Sequence, residues 1–546
     1  MKKTITLLLL SAFISALNAQ TAPSWVKYSG PADYQNYDVQ EVSTATDSLG
    51  NIYTAASMSD TANNLSKAML VKYNPAGVQQ WIQYYDNNDA NFNGSYVKKL
   101  LVDAAGNSYL CGYGIGGSTN GKDFLLVKYD NAGSMQFSDY LDAGSNVDDY
   151  VTSARFDAHG NIILAGYGNH GGTTGDDIFV CSFTNVGSLN WSYLWNNNAS
   201  NDEDRALDVA ADTTGNVFVT GSTYQSATGR DMVTLKVNAT GNLQWAKIYS
   251  YSGDGNDDRG FSVVADAAGN SYVTGATADW NTIKYDPSGN VLWDKHYTTF
   301  DLSRFDNKKV LLDTAGNVIS VGNAFASTAE QNNFVVNKYT KGGVLLWSAN
   351  VNGPAGGGSV EVMYDALVDS AGYIYVTGKY DGALSGDILT SVFSPAGVVV
   401  WNNPFANAIN TAGDDRAYSI ALDGHRNIIL AGLSETRNSN SAAAVDVITL
   451  KYNALQLSTA VSTVAANEAD VLLYPNPSHG NLTLSLTDQS LLGAVITVTN
   501  LLGQTVMVET LNNLKQQLNV TGAAKGLYML NIKTGEQTIT RKFMVE

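Results

Sequence analysis

The sequence predicts an all-β chain, in which an eight-bladed β-propeller of ~54-residue repeats is followed by a small Ig-like β-sandwich. Three observations lead to this prediction. A turn of the form Asp-x-x-Gly-Asn recurs in eight copies, a second turn followed by Trp accompanies most of them, and a strand that the last copy lacks stands near the N-terminus. Between the turns the sequence alternates with a period of two residues, which indicates β-strands.

The first turn begins with an aspartate and has glycine three residues later. The eight aspartates are Asp47, Asp103, Asp157, Asp212, Asp266, Asp313, Asp369 and Asp423. The eighth copy departs from the pattern, because Arg426 stands where glycine is expected. Glycine adopts positive φ without steric strain, so each such turn is expected to join two antiparallel strands.

The second turn follows a strand that ends in Lys-Tyr, as in Lys72-Tyr73, and a Trp comes shortly after it. The Trp residues are Trp81, Trp191, Trp245, Trp293, Trp347 and Trp401, with Phe137 in the second copy. Two hairpins in each copy give four strands, the composition of a propeller blade. Because a buried Trp removes roughly 200 Å² from water, we interpret the recurring Trp as packing between blades and not as a platform for a ligand.

The ends of the repeat region predict how the ring closes. The eighth copy stops at Asn453 without a second turn or a Trp, whereas the strand Trp25–Tyr28 precedes the first turn. Pairing of these two ends would leave no sheet edge open. We therefore predict one propeller over residues 20–455, with its last blade closed by the N-terminal strand. An open array and a seven-bladed ring with one odd repeat are the alternatives.

The repeats resemble a known family. The copy from Ser262 to Gly275 is similar to the bacterial β-propeller repeats called SBBP repeats, and the resemblance extends over all eight copies. It implies the propeller fold. It implies no particular chemistry, because the family is defined by its repeat.

Segments on both sides of the propeller have other roles. Residues 1–19 predict a signal peptide, since Lys2 and Lys3 precede an apolar run that is too short to span a membrane. Residues 456–470 are interpreted as a linker. No later run is long and apolar enough to predict a transmembrane segment.

Residues 471–546 predict the small sandwich. Alternating runs at 481–486, 495–500, 504–509 and 527–532, and a final run at 541–546, indicate short strands. Two prolines before the first run exclude a helix there, and Gly480 permits a turn into that strand.

This region resembles the type A C-terminal sorting domain of the type IX (Por) secretion system. The matching positions are Tyr474, Pro475, Asn476, Pro477, Gly480, Leu501-Leu502-Gly503, Lys525, Gly526, Leu527, Tyr528 and Lys542. The resemblance implies that residues 471–546 bind the type IX secretion machinery and guide the folded protein across the outer membrane. The domain would then be removed, leaving the propeller secreted or attached to the cell surface.

Composition and motifs restrict the function. A net charge of −18 argues against nucleic acid or an anionic membrane as partner. No catalytic motif is found: the five histidines form no cluster with zinc-ligand spacing, and His296 stands alone. No cofactor and no metal is predicted, although calcium is compatible with the acidic loops.

One acidic pattern recurs before the first strand of several blades. The pairs are Asp204-Arg205, Asp258-Arg259 and Asp415-Arg416, and the related acidic positions are Asp123, Asp148-Asp149, Asp176-Asp177, Asp231 and Asp387. As a site, these residues would form a ring that binds Ca²⁺ or a hydroxyl-rich glycan. As structure, each Asp would cap backbone N–H groups and pair with Arg, repeated because the blade repeats.

Two classes of function remain open. The first is a non-catalytic binding or adhesion module for a glycan or a protein. The alternative is a polysaccharide-degrading enzyme, a lyase or a glycosidase, with its acid and base drawn from facing loops such as those of Asp258 and Asp415. The regularity of the copies favours binding, because an active site usually breaks the symmetry of a repeat.

Overall fold

The computed structural model of the chain describes residues 22–30, 37–60, 65–85, 94–115, 121–144, 147–169, 175–197, 203–225, 227–250, 257–276, 279–297, 308–325, 332–353, 360–381, 386–407, 413–437, 443–455, 471–486, 489–500, 505–534 and 537–546. The predicted signal peptide, the predicted linker and Leu501-Leu502-Gly503 lie outside these residues. The chain divides into two compact units, Met1–Leu455 and Gln456–Glu546.

The described part of the first unit consists of short strands. They are β1 (Trp25–Ser29), β2 (Tyr37–Thr46), β3 (Ile52–Asp60), β4 (Leu65–Tyr73), β5 (Gln79–Tyr85), β6 (Ser95–Val102), β7 (Ser108–Ile115), β8 (Lys122–Tyr129), β9 (Met135–Leu141), β10 (Asp149–Phe156), β11 (Ile162–Asn169), β12 (Asp176–Phe183), β13 (Leu189–Trp195), β14 (Arg205–Ala211), β15 (Val217–Gln225), β16 (Gly229–Val237), β17 (Leu243–Tyr249), β18 (Arg259–Ala265), β19 (Ser271–Ala276), β20 (Trp280–Tyr285), β21 (Val291–Tyr297), β22 (Lys308–Leu312), β23 (Val318–Phe325), β24 (Asn332–Tyr339), β25 (Leu345–Val351), β26 (Val360–Val368), β27 (Ile374–Asp381), β28 (Gly386–Phe393), β29 (Val399–Phe405), β30 (Asp415–Leu422), β31 (Ile428–Arg437) and β32 (Ala443–Tyr452).

These strands form four-stranded antiparallel sheets. Seven sheets take four consecutive strands, from β2–β5 to β26–β29, and an eighth contains β30, β31, β32 and β1. Apolar side chains of each sheet pack against the next sheet, and Val39 of the first sheet packs in one cluster with Val447 of the last. The all-β propeller fold is thus confirmed. The blade count and the domain limits stay predictions.

The first turn of each sheet is organised by its aspartate. Asp266 Oδ1 accepts the backbone N–H groups of Ala268 (3.0 Å) and Asn270 (2.9 Å), while Oδ2 accepts the Asn270 amide (2.8 Å) and the Tyr272 hydroxyl (2.9 Å). Gly269 follows with a φ of 78°. Burial raises the pKa of Asp266, but the hydrogen bonds outweigh burial and the net shift is downward.

Arg426, which replaces the turn glycine in the eighth copy, has a partner in the preceding sheet. The preceding copy carries Tyr373 in place of the turn asparagine, so Asp369 lacks that side-chain amide. Arg426 from the next sheet donates to Asp369 instead, and its guanidinium lies 5.2 Å from the centroid of the Tyr373 ring. Arg426 accordingly adopts a φ of 64°, in the left-handed region that glycine occupies in the other copies. Two departures from the repeat therefore compensate each other.

Each recurring Trp contacts the next sheet. Trp81 Nε1 donates to the carbonyl oxygen of Asn131 (3.1 Å), and its ring lies over Gly133, where a Cβ would stand 2.8 Å from the ring. Trp245 and Gly289 repeat this contact. The glycine is required both by its positive φ and by the close approach of the ring. The interpretation of Trp as packing between sheets is confirmed.

The same contact joins the last sheet to the first. Trp25 Nε1 donates to the carbonyl oxygen of Pro75 (3.4 Å), and a Cβ on Gly77 would stand 2.8 Å from the Trp25 ring. Strand β1 pairs with β32 from Trp25 opposite Lys451 to Ser29 opposite Val447. The strand that precedes the first turn is therefore the outer strand of the last sheet.

The second unit contains two sheets, ordered β33-β34-β37 and β36-β35-β38-β39. The strands are β33 (Val471–Tyr474), β34 (Asn481–Leu486), β35 (Val495–Asn500), β36 (Thr505–Thr510), β37 (Lys515–Asn519), β38 (Gly526–Thr534) and β39 (Gln537–Val545), with one 3₁₀ turn at Gln489–Leu491. Sequence alternation missed β33 and β37. Strand β37 was missed because Leu518 is its one apolar residue, so it shows no alternation of apolar and polar side chains.

Candidate functional site

The direction of the strands gives the propeller two different faces. The turn face carries the Asp-x-x-Gly-Asn turns. The loop face carries the starts of the first and third strands of each sheet, such as Asp149 in β10 and Asp177 in β12. All six candidate site residues from the sequence lie on the loop face.

The three candidate aspartates are buried. Asp204, Asp258 and Asp415 are each 1% exposed. Oδ2 of Asp204 accepts the backbone N–H of Asn197 (2.9 Å), and Oδ2 of Asp415 accepts that of Asn407 (2.7 Å). These bonds hold the chain where it leaves the outer strand of the preceding sheet. In these two copies, one oxygen of the carboxylate thus has the capping role that the structural interpretation predicts.

The candidate arginines pair with other acids. The ion pairs are Arg205 with Asp176 (2.6 Å), Arg259 with Asp257 (3.0 Å) and Arg416 with Asp414, where Nε donates at 2.7 Å. Successive residues of a strand point to opposite sides of the sheet, so the Asp and Arg of one dipeptide diverge. Each of these arginines is therefore paired with an acid other than the candidate Asp that precedes it.

Carboxylates instead meet at junctions between neighbouring sheets. The facing pairs are Asp123 with Asp149, Asp177 with Asp204, and Asp387 with Asp415. Burial, reinforced by the like charge of neighbouring carboxylates, raises the pKa of Asp149 to about 7, and of Asp177 and Asp415 to about 6. The sequence named these positions, but their pairing across sheets emerges only from the fold.

Four tyrosines of the loop face form a cluster that the sequence reasoning missed. Tyr96 and Tyr113 stack with 5.0 Å between ring centroids, Tyr113 meets Tyr150 edge-on at 5.0 Å, and Tyr150 lies 5.5 Å from Tyr167. Each of the four side chains is partly exposed. They belong to the β6–β9 and β10–β13 sheets, and we call them the tyrosine cluster.

Two cations lie over the rings of the tyrosine cluster. Lys122 Nζ is 4.9 Å from the centroid of the Tyr150 ring and 5.7 Å from those of Tyr96 and Tyr113. The Arg205 guanidinium is 4.8 Å from the centroid of Tyr167. Lys122 Nζ also lies 3.7 Å from a carboxylate oxygen of Asp148, which accepts the Tyr150 hydroxyl at 2.7 Å. Each of the two cations over the rings thus has an acidic partner.

A signal for this cluster exists in the register of the repeats. In the β10–β13 sheet, Tyr150 pairs with Tyr167. At the equivalent position of the next sheet, Arg205 pairs with Ser222. Two successive copies therefore carry Tyr96 and Tyr150 at the position where three later copies carry Arg205, Arg259 and Arg416. Aligning the copies by strand register, and not by their turns, would have revealed the break in symmetry.

The expectation that His296 stands alone is wrong. His296 Nε2 lies 3.0 Å from Oδ2 of Asp294 and 3.4 Å from the hydroxyl of Tyr249, which also donates to Asp294. Asp294 and His296 are two residues apart in β21, so their side chains share one side of the strand. Tyr249 reaches them from β17, the outer strand of the preceding sheet.

In the second unit, the predicted sorting residues hold the chain around β39. Asn476 Oδ1 accepts the Met544 N–H (2.9 Å), and its amide donates to the Lys542 carbonyl oxygen (3.3 Å). Gly480 has a φ of 96°, and a Cβ there would stand 2.6 Å from Thr521 Cα.

The later predicted sorting residues lie at or near the start of β38. Lys525 precedes Gly526, which has a φ of 154°, and the Tyr528 hydroxyl donates to the Ala524 carbonyl oxygen (2.7 Å). Tyr474, beside Pro475 and Pro477, is 41% exposed.

Comparison with known families identifies this second unit. Residues 472–546 match the family described as the secretion system C-terminal sorting domain. The sorting domain indicates export by the type IX system, so the protein is directed to the cell surface or the extracellular space. No curated protein matches the chain. The resemblance of the repeats to SBBP repeats stays a prediction.

Solved structures are similar in fold alone. They include PorZ, a surface component of the type IX secretion system of Porphyromonas gingivalis (12% identity, 94% of this chain, 82% of that chain, TM-score 0.29). They also include an ulvan lyase of family PL25 (11%, 77% and 95%, 0.37) and the β-propeller domain of the Trilobed protease from Pyrococcus furiosus (8%, 77% and 96%, 0.35). Separately, none of the described residues forms a helix long and apolar enough to cross a membrane.

Proposed function

We propose that the protein is an exported, non-catalytic binding module that holds a glycan on the loop face, with the tyrosine cluster as its contact surface. The observation that supports this proposal is the grouping of four partly exposed rings across two neighbouring sheets. Tyrosine side chains offer a large, rigid contact area together with a hydroxyl, which suits ligands that have both apolar and polar faces.

The charges around the cluster favour a neutral glycan. Lys122 is matched by Asp148, and Arg205 by Asp176 and Glu203, so neither cation over the rings is left unpaired for an anionic ligand. The chain as a whole carries −18, which disfavours a polyanionic polysaccharide. Hydroxyl groups of a neutral sugar would bond to these side chains while its ring packs on the tyrosines.

The enzyme alternative has one observation in its favour. Tyr249, Asp294 and His296 are within hydrogen-bond reach of one another, and such groups serve as acid and base in many hydrolases and lyases. In contrast, Asp258 and Asp415 are almost fully buried and belong to different sheets. A polysaccharide lyase or glycosidase is therefore the second candidate.

The test is binding of the full chain to a panel of neutral and charged polysaccharides, read both as affinity and as release of reducing ends or unsaturated products. We expect a neutral glycan to bind without product. Tyr150→Ala should weaken binding by ~30-fold, the effect of losing a central aromatic contact. Tyr84→Ala is the matched control, since Tyr84 is a 37% exposed tyrosine of β5 outside the cluster.

Other outcomes separate the alternatives. Equal loss with Tyr84→Ala, or binding that Tyr150→Ala leaves intact, would reject the tyrosine cluster as the contact surface. Product release that His296→Ala abolishes would favour the enzyme. If no glycan binds and no product is released, while a surface protein is captured, the protein-binding form of the module would be favoured.

For residues 471–546, we propose that they bind the type IX secretion machinery. A chain that lacks them should accumulate in the periplasm, whereas the full chain reaches the outer surface. Surface labelling of intact cells measures the difference, and normal surface exposure of the truncated chain would refute the assignment.

A further inference from the structure

One junction on the loop face holds three carboxylates. One oxygen each of Asp123, Asp142 and Asp149 lies within 4.8 Å of the others. Oxygens that are each ~2.4 Å from one Ca²⁺ stand at most ~4.8 Å apart, so this spacing is compatible with a shared ion. Across the described ranges, no second group of three acidic, His or Cys side chains meets this criterion.

Asp149 gives an independent indication of a ligand. Its side chain is fully buried, and its Oδ2 accepts the Ala143 N–H at 2.8 Å. Its other oxygen, Oδ1, is buried and has no hydrogen-bond partner among the residues that the structure describes. A buried carboxylate oxygen without a partner costs free energy, and the cost rises when further carboxylates stand beside it. A cation is the partner that removes both costs.

The next junction shows what the alternative arrangement is. There the residue before the capping N–H is Asn196, whose amide donates to Oδ1 of Asp177 at 2.6 Å. At the equivalent place in the first junction stands Asp142, immediately before the capping Ala143. Asparagine supplies a hydrogen-bond donor, whereas Asp142 adds a third negative charge. Asp142 in place of an asparagine therefore removes a hydrogen-bond donor and adds a third carboxylate, which is the change that a cation site requires.

We propose that Asp123, Asp142 and Asp149 bind one calcium ion between the β6–β9 and β10–β13 sheets. The donor set is oxygen alone, which suits a hard cation and not zinc. Three carboxylates offer up to six oxygens, and the exposed Asp142 leaves room for water to complete a flexible shell. Calcium tolerates such a shell, whereas Mg²⁺ demands near-ideal octahedral geometry. This inference stands independently of the glycan proposal.

The test is calorimetric titration of the chelator-treated full chain with CaCl₂, together with thermal melting in CaCl₂ and in EDTA. We expect saturable binding and a higher melting temperature with calcium than with the same concentration of MgCl₂. Asp142→Asn should weaken the affinity at least tenfold, because an exposed ligand is replaced by the residue of the next junction. Asp149→Asn should do the same if it folds.

Asp130→Asn is the matched control. It removes one charge from the same sheet, at a turn position where two other copies carry Asn74 and Asn238. Its calcium affinity should equal that of the unmodified chain. The proposal is overturned if the unmodified chain gives neither binding nor stabilisation, if Asp142→Asn binds as tightly as Asp130→Asn, or if magnesium stabilises equally.

Discussion

The two faces of the propeller use the same side chain to opposite effect. On the turn face, Asp266 receives hydrogen bonds on both oxygens, and its pKa is lowered. On the loop face, Asp415 caps one N–H, stands near Asp387 and Asp414, and has its pKa raised to about 6. Both aspartates recur with the repeat. Recurrence alone therefore does not tell how a carboxylate is stabilised, whereas the donors and charges around it do.

The largest loss of stability is expected when the strand that closes the ring is removed. Deleting residues 20–30 removes β1, which pairs with β32 and places Trp25 over Gly77. The last sheet then has three strands and an open edge. We expect the melting temperature to fall by ~10 °C or more, measured by calorimetry.

Trp81→Ala is the control for this deletion. It removes one Trp–Gly contact of the same kind within the ring, between the β2–β5 and β6–β9 sheets, without removing a strand. The cost should be ~3–5 kcal/mol, the range for truncating a packed Trp. If the deletion costs no more than this substitution, closure through β1 is not what holds the ring.

Replacing a single aspartate of the turn face should reduce stability less than deleting a strand, but more than replacing an aspartate of the loop face. Asp266→Ala leaves two backbone N–H groups, one amide and one hydroxyl without their acceptor. We expect a loss of ~3 kcal/mol in denaturant unfolding. Asp415→Asn should change stability by less than ~1 kcal/mol, because the amide oxygen can still cap and one negative charge disappears. Equal losses would contradict the distinction between the faces.

The compensation at Arg426 gives an intermediate effect. Arg426→Gly relieves a left-handed φ, which alone would stabilise by ~1 kcal/mol. It also removes the cation that bonds to buried Asp369, so we expect a net destabilisation of ~1–2 kcal/mol. Adding Tyr373→Asn restores the amide of the other copies and should recover the loss. Stabilisation by Arg426→Gly alone would show that the ion pair contributes little.

The smallest effect is a dependence of stability on pH. The folded chain holds protons on Asp149 (pKa about 7) and Asp415 (pKa about 6) more tightly than the unfolded chain does. The stability from these groups is present below about pH 4 and is lost as the pH rises toward about 7. In EDTA, the melting temperature should therefore fall by a few degrees between about pH 5 and about pH 8, and by less in Asp415→Asn. Turn aspartates such as Asp266, whose pKa is lowered, act oppositely and lose their contribution only as the pH falls below about 4.

The sequence predicted what depends on local spacing. Turns and strands follow from residues a few positions apart, and the recurrence of Trp at one place in the repeat predicted packing between sheets. The junction pairs depend on how neighbouring sheets are juxtaposed, so Asp123 and Asp149 were named but not joined. The tyrosine cluster escaped for the same reason, since Tyr113 and Tyr150 meet only across two sheets. His296 was misjudged for another reason: its partner Asp294 stands two residues away on the same strand, and only Tyr249 lies in another sheet.

The position of β1 also sets the order of events during synthesis. Strand β1 leaves the ribosome before the other described strands of the ring, and its partner β32 leaves after them, so the ring cannot close until the whole repeat region has been translated. The sorting domain follows β32 in the chain. A chain interrupted within the repeats lacks both the closing partner and the export signal. The order of the chain therefore places the sorting domain after the last strand that closure of the ring requires.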